Sequence, residues 1–149
     1  SIITARDAAH ALELANDSEF GLAATVFSGN VEQAQQMAEE VGQQYGRAMA
    51  VGLQGEDVTA GHKSLRSALQ TVADALTAHG FAAHTDQRNN QLRIVNNHCP
   101  FGDIAIEHPV ICAVDRGMVK GMLTAIYGET SPETSASLPQ GDTFCATTV

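Results

Sequence analysis

The sequence predicts an α+β fold in which a small antiparallel sheet of two hairpins packs against helices, with extra N-terminal helices. Three observations lead to this fold class. The chain has 149 residues, which is the length of one ordinary domain. Hydrophobic residues make up 44% of it and charged residues 17%, so it buries a sizeable core and is neither disordered nor collagen-like. The apolar patterns then follow the order α, α, α, β, β, α, β, β.

Apolar residues recur at helical spacing in four segments: 4–16, 31–50, 57–79 and 109–127. Thr4 is the expected cap of the first helix, and Asn30 of the second, where Gln33 follows as in a capping box. Gly80 is expected to end the third helix in a left-handed conformation. Pro109 is expected at the first position of the fourth, where its missing N–H costs nothing.

Short strand patterns occupy four further segments: 81–85, 92–95, 134–138 and 143–149. The polar residues 87–90 and the Pro-Gln-Gly-Asp sequence at 139–142 are typical of the turns that join such strands in pairs. Residues 103–107 predict a short helical piece. The apolar run 20–27 is too short for its period to separate helix from strand.

The predicted helices at 59–79 and 109–127 carry the apolar faces that would cover one side of the sheet. The helix at 31–50 would then lie outside this layer. Its apolar stripe is available for packing on a partner, and the alternative is that it packs on the chain's own sheet.

The charge distribution excludes several classes of function. There are 8 basic and 17 acidic residues, so the net charge is −9, and no stretch forms a basic stripe that would hold phosphates unaided. Aromatic residues, at 5%, are too few for a nucleic-acid stacking platform. No apolar run approaches the roughly 20 residues of a membrane helix, and no signal peptide is visible, so we expect a cytoplasmic protein without a membrane partner.

Three cysteines, Cys99, Cys112 and Cys145, are the main candidates for chemistry. They fall in a tight bend, in the first turn of a helix and in the last strand, so all three could converge at one end of the sheet. A helix N-terminus lowers a thiol pKa, and thiolates bind zinc or iron–sulfur clusters. His98 and His108 are the nearest candidates for a fourth ligand, although water, a small ligand or another chain would serve equally.

The alternative for the cysteines is that they are small buried side chains in a reducing cytoplasm, since none are spaced as in structural zinc sites. The remaining histidines have no partner at ligand spacing and are interpreted as ordinary surface or core residues: His10, His62, His79 and His84. No phosphate loop, dinucleotide fingerprint or nucleophile elbow occurs, so the sequence predicts no catalytic residues and no enzyme activity.

One family resemblance rests on Asn-His-Cys-Pro-Phe at 97–101, Ala105, His-Pro at 108–109, Cys112, and Gly-Asp-Thr-Phe-Cys at 141–145. Over about residues 31–149 the chain resembles the sensor domain of bacterial winged-helix transcriptional regulators similar to the repressors of iron–sulfur assembly operons. The resemblance implies that the cysteines ligate an iron–sulfur cluster, or zinc or iron. It also implies a homodimer that reaches DNA through a winged-helix domain outside these residues. Typical repressors carry a further cysteine between the second and the last, which this sequence lacks.

A second resemblance covers about residues 1–42. The sequence Ala-Leu-Glu-Leu-Ala-Asn-Asp-Ser-Glu-Phe-Gly-Leu-Ala-Ala-Thr-Val-Phe-Ser at 11–28 is similar to a segment of aldehyde dehydrogenases beyond their catalytic cysteine. No residues match the nucleophile or nicotinamide-binding segments of those enzymes, so the resemblance implies a non-catalytic fragment. The predicted organisation is an N-terminal helix and apolar segment at 1–30, either dehydrogenase-like or a linker, followed by the sensor domain at 31–149.

The leading hypothesis from the sequence is therefore a ligand-, metal- or iron–sulfur-sensing and dimerisation domain of a transcriptional regulator. Two alternatives remain open. One is a small-molecule-binding module of the same fold without metal, in which the cysteines line an apolar cavity between sheet and helices. The other is a non-catalytic fragment related to aldehyde dehydrogenases.

Overall fold

The computed structural model describes residues 4–17, 29–53 and 64–149. The helices and strands are, in chain order, α1 (Ala8–Asn16), α2 (Val31–Leu53), α3 (Leu65–Ala78), β1 (Ala83–Arg88), β2 (Gln91–Asn96), α4 (Asp103–Glu107), α5 (Val110–Ile126), β3 (Glu133–Ala136) and β4 (Cys145–Thr148). A short 3₁₀ turn, Leu138–Gln140, lies between the last two strands. The predicted state of 20–27 concerns residues outside the described ranges.

The four strands form one antiparallel sheet in the order β1-β2-β4-β3. The predicted α+β class is thus confirmed, and β2 and β4 join the two predicted hairpins into a continuous sheet. The first hairpin is closed by Asn89 and Asn90, whose φ angles are 51° and 65°. Asparagine tolerates this left-handed conformation, which two-residue hairpin turns require. The loop is therefore shorter than the predicted 87–90.

Helix starts differ from the sequence prediction wherever another polar side chain forms the cap. Asn30 caps α2 as predicted, since its Oδ1 accepts the backbone N–H of Gln33 at 3.1 Å. In contrast, Asp7 rather than Thr4 caps α1. Ser64 caps α3, because its backbone is extended and its hydroxyl accepts the N–H of Ser67. Helix α3 thus begins at Leu65, and the predicted start at 57–59 lies outside the described residues.

The main hydrophobic core lies between the sheet and helices α3 and α5, as predicted. The largest fully buried side chains belong to these two helices and to β2: Leu69, Val72, Leu76, Ile94, Met122, Leu123 and Ile126. Gly80, with φ of 93°, ends the last turn of α3 at the predicted position. The chain can then turn back sharply into β1 and cover the sheet with α3.

Helix α2 packs along α5 rather than on the sheet, and glycines at the contact allow a very close approach. A Cβ atom added at Gly46 would lie 2.2 Å from the backbone oxygen of Met118, and one at Gly121 would lie 2.2 Å from that of Gln43. The backbones of the two helices are therefore in direct contact. Glu39 adds an ion pair across this contact, at 2.8 Å from Arg116.

The opposite face of α2 keeps part of the predicted apolar stripe exposed. Val41 and Tyr45 are 40% and 52% exposed. The use of this face in a homodimer stays a prediction. In the part of the chain that the structure describes, no helix combines the length and the hydropathy needed to cross a membrane.

Candidate functional site

The three cysteines occupy the local positions predicted for them. Cys99 lies in the bend after β2, in a turn closed by the Gly102 N–H, which donates to the Cys99 carbonyl oxygen at 3.1 Å. Cys112 is in the first turn of α5, and Cys145 is the first residue of β4. All three are free thiols of intermediate exposure. The bend after β2, the first turn of α5 and the start of β4 thus bring the three thiols to the same edge of the fold.

Cys99 and Cys145 both act electrostatically on Cys112, and Cys99 acts on Cys145, so the three thiols lie close together. Burial raises the pKa of Cys112 to about 11, with further contributions from the negative charges of Asp115, Cys145 and Cys99. Burial also raises the pKa of Cys145. The predicted lowering of the Cys112 pKa by the helix N-terminus is therefore wrong, because desolvation outweighs the helix dipole at this half-buried position. At neutral pH Cys112 is a thiol, not a thiolate.

This raised pKa predicts slow alkylation of Cys112. Iodoacetamide reacts with thiolate, and a pKa of about 11 in place of 9.0 lowers the thiolate fraction at pH 8 about a hundredfold. Peptide mass spectrometry after timed labelling measures the ratio of the Cys112 alkylation rates in native and urea-unfolded protein. The native rate should keep rising to about pH 11. A rate that levels off near pH 9 would show that access alone slows the reaction.

The predicted histidine ligands lie at the surface. His98 and His108 are both exposed, and His108 ends α4 by donating its backbone N–H to Ile104. Within the described ranges, no three or more His, Cys, Asp or Glu side chains are placed to bind a metal ion. The predicted metal-binding, iron–sulfur character is therefore wrong for the part of the chain that the structure describes.

The structure adds two polar side chains to the cysteines. Asp115 lies one turn after Cys112 on α5, and burial raises its pKa to about 7. Asn96 is the direct partner of Cys145 in the β2–β4 pairing. Paired residues of an antiparallel sheet share a side, and Ile94, two residues earlier, is in the helix-covered core. Asn96 and Cys145 therefore face the helices, toward Asp115.

Both added side chains carry a buried oxygen without a partner. Among the residues that the structure describes, Asn96 Oδ1 and Asp115 Oδ1 accept no hydrogen bond. We call these two residues and the three cysteines the thiol end. The three-residue spacing of Cys112 and Asp115 is a helical spacing that could have revealed Asp115 from sequence, whereas Asn96 becomes visible only through strand register.

Three of the other histidines have local roles, as predicted. His10 accepts from the Arg6 backbone N–H, His79 lies 2.8 Å from the Ala75 carbonyl oxygen, and His84 contacts Asn97. His62 lies outside the described residues. None of these contacts indicates a ligand site.

The fold and the thiol end define a small α+β domain with neutral polar groups gathered at one edge of its sheet. Residues 31–149 match the family model described as Methanogen output domain 1. Because this match covers most of the chain, the protein belongs to that family. The model of the aldehyde dehydrogenase family matches residues 1–59, so the two matches overlap on α2.

A curated relative supports the N-terminal match. Succinate semialdehyde dehydrogenase of Escherichia coli strain K12 is 66% identical over 38 residues. The match covers 26% of this chain and 8% of that enzyme, so the chain spans a small part of the relative's length. The predicted resemblance to aldehyde dehydrogenases is confirmed for this segment.

The predicted resemblance to repressors of iron–sulfur assembly operons has no such support. The prediction of a metal- or iron–sulfur-sensing transcriptional regulator is wrong, because the N-terminal part is related to a dehydrogenase and the described residues hold no metal-binding group. The homodimer and the DNA contact through a further domain stay predictions. The identity of any cofactor also stays a prediction. So does the choice of ligand-contacting residues among those predicted from the sequence: Cys99, Cys112, Cys145, His98 and His108.

Proposed function

We propose that residues 31–149 form a binding module, not an enzyme, whose ligand is a small uncharged organic molecule held at the thiol end. The observation that carries the proposal is the pair of buried, unpartnered oxygens, Asn96 Oδ1 and Asp115 Oδ1. A buried acceptor left unpaired costs about 1–3 kcal/mol, so each one needs a physical explanation, and a bound ligand that donates to it is one such explanation. A ligand with N–H or O–H donors would satisfy both.

The neighbouring groups favour an uncharged ligand. Cys112, with its raised pKa, is neutral at pH 7, and Asp115, with a pKa of about 7, is about half protonated there. A bound anion would therefore find no positive charge among these groups, and a cation would meet a carboxyl that is only half ionised at pH 7. Apolar side chains lie exposed on the adjoining segment: Phe101, Ile104, Ile106 and Val110. They offer contact area for an apolar part of the ligand.

The family description, an output domain, agrees with a module that responds to binding. Three free cysteines also suit the reducing cytoplasm in which we place the protein. The N-terminal dehydrogenase-like segment supplies neither a nucleophile nor a nicotinamide site in our proposal. Purified protein should therefore not oxidise succinate semialdehyde with NAD, and turnover in that assay would contradict the non-catalytic assignment.

Benzamide tests the binding proposal, because it combines an uncharged N–H donor with an apolar ring. In ¹H–¹⁵N NMR titrations it should shift the side-chain amide of Asn96 and the backbone amide of Asp115, with a Kd of about 1 mM. Benzoate has nearly the same shape but carries a charge and only acceptors, so it should cause no such shifts.

A pair of variants separates this site from a general effect. Asp115→Leu removes the acceptor and should weaken benzamide binding at least about tenfold, the equivalent of one hydrogen bond. Asp74→Asn, on the exposed face of α3, should bind as the wild type does. Equal binding of benzamide and benzoate, or stoichiometric iron or zinc in the purified protein, would contradict the proposal.

A further inference from the structure

An open cleft lies between α2, α5 and the segment that follows α5. Its volume is about 550 Å³, within the range of small-molecule sites. The residues that line it are all polar or charged: Gln43, Arg47, Lys120, Thr124, Glu129, Thr130 and Ser131. Lys120 is eight residues after Cys112 on α5, which is about 12 Å along the helix. The cleft is therefore separate from the thiol end.

The glycine contact between α2 and α5 builds this cleft. At Gly121 the backbone of α5 meets that of Gln43 with no room for a side chain. Gln43 and Arg47 are one turn apart on α2, and Lys120 and Thr124 are one turn apart on α5. Close packing of the two backbones thus sets a pair of side chains from each helix along the same cleft.

The cleft is positively charged although the chain is acidic. Two cations, Arg47 and Lys120, and one acid, Glu129, line it, which leaves one positive charge in excess. Lys120 Nζ is 3.4 Å from Glu39, but Glu39 also accepts from Arg116 at 2.8 Å, so two cations share a single carboxylate. Arg47 forms no ion pair with any residue in the described ranges. The unshared charge is available to an anion.

One lining hydroxyl also lacks a partner. Thr130 Oγ1 is buried and makes no hydrogen bond within the described part of the chain. Thr124, in contrast, donates to the Lys120 carbonyl oxygen at 2.8 Å. Thr130 lines the same cleft as Arg47 and Lys120, and an unpaired hydroxyl among such lining residues can donate to an anionic oxygen.

We infer that this cleft binds a small organic anion through one carboxylate or phosphate group, with Arg47 and Lys120 as its charge partners and Thr130 as a hydrogen-bond donor. Arg47 has the planar, forked geometry that binds such groups through two parallel bonds. Gln43 and Ser131 offer polar contacts for the remainder of the molecule. The site is independent of the thiol end and of the function proposed for it.

Titration of the whole chain with inorganic phosphate and, separately, with succinate tests the inference by NMR. At least one of the two anions should shift the amides of residues 120–131, with a Kd of about 1–10 mM that weakens as salt rises. Phosphate binding alone assigns the site to phosphorylated ligands, and succinate binding alone assigns it to carboxylates. If neither anion shifts these amides at about 20 mM, the inference is overturned.

Four variants of charged residues, one of them a control, and one hydroxyl variant identify the groups. Arg47→Gln and Lys120→Gln should each weaken binding about tenfold, and Lys120→Arg should restore most of it. Arg88→Gln makes the same change of charge on the β1–β2 hairpin and should leave the affinity unchanged. Thr130→Val should raise the Tm by about 2–4 °C, because it removes an unpaired hydroxyl, and should weaken binding. Wild-type affinity in Arg47→Gln and Lys120→Gln would overturn the inference.

Discussion

Gly46→Ala is expected to lower the free energy of unfolding of the protein strongly. The added Cβ would lie 2.2 Å from the Met118 carbonyl oxygen and 2.9 Å from the carbon of the same carbonyl. Both atoms belong to the α5 backbone, so α2 and α5 must separate and lose packing along their length. We expect a loss of about 3 kcal/mol, and a Tm lower by about 10 °C.

The same helix provides a matched control with the opposite sign. Gly52 is also in α2, but a Cβ there meets no atom of the described ranges within 4 Å. Gly52→Ala should therefore stabilise the protein by about 0.5–1 kcal/mol, since alanine loses less backbone entropy than glycine in a helix. Urea unfolding of both variants measures the difference. Equal effects of the two substitutions would mean that the backbones of α2 and α5 are not in contact.

Asp115→Asn is expected to stabilise the protein at pH 8 by up to about 4 kcal/mol. Burial raises the pKa of the Asp115 carboxyl from 3.8 to about 7 in the folded protein. Below pH 3.8 the carboxyl is protonated in both states and contributes no difference. As the pH rises from there to about 7, the unfolded state loses its proton first, so stability falls. Above pH 7 the carboxyl is ionised in both states, and the full loss of stability is present.

The pH profile itself controls this prediction. Asparagine has the same size as aspartate and no charge, so wild type and variant should be equally stable near pH 4 and diverge toward pH 8. The nearby thiols Cys112 and Cys145 ionise above 9.0 and do not titrate in this window. Thermal unfolding at several pH values measures the effect. A constant difference between the two proteins across pH 4–8 would show that the Asp115 carboxyl titrates alike in both states.

This cost supports a functional interpretation of the thiol end. A buried carboxyl that destabilises the folded protein at neutral pH is unfavourable unless a ligand or partner uses it, and binding sites commonly reduce stability in this way. Asn96 adds a second unpartnered oxygen at the same place. Asn96 is neutral at any pH and Asp115 is mainly neutral below pH 7, which distinguishes the thiol end from the charged cleft around Arg47 and Lys120.

The elements could be predicted from the sequence where one local signal decides them. The cap at Asn30, the left-handed Gly80 and the four strand patterns follow from nearest-neighbour chemistry, and the structure has all of them. The start of α1 differs from its predicted position because Thr4 and Asp7 are both good caps. Only the structure, in which the Asp7 side chain accepts a backbone N–H, shows which of the two residues is the cap.

Local sequence patterns are enough to predict the α+β class, the local positions of the three cysteines and the dehydrogenase-like N-terminal segment, because periodicity, turn residues and short-range identity are properties of neighbouring residues. The surroundings of those cysteines, in contrast, become visible only in the folded structure. Burial and the charge of Asp115 raise the pKa of Cys112, whereas its position at a helix N-terminus, taken alone, predicts a lowered pKa. The fold also places Arg47 and Lys120, which are 73 residues apart in the chain, at one cleft, because glycines let their two helices approach closely. Desolvation and long-range charge depend on what the fold places nearby, and the order of residues in the chain does not specify that.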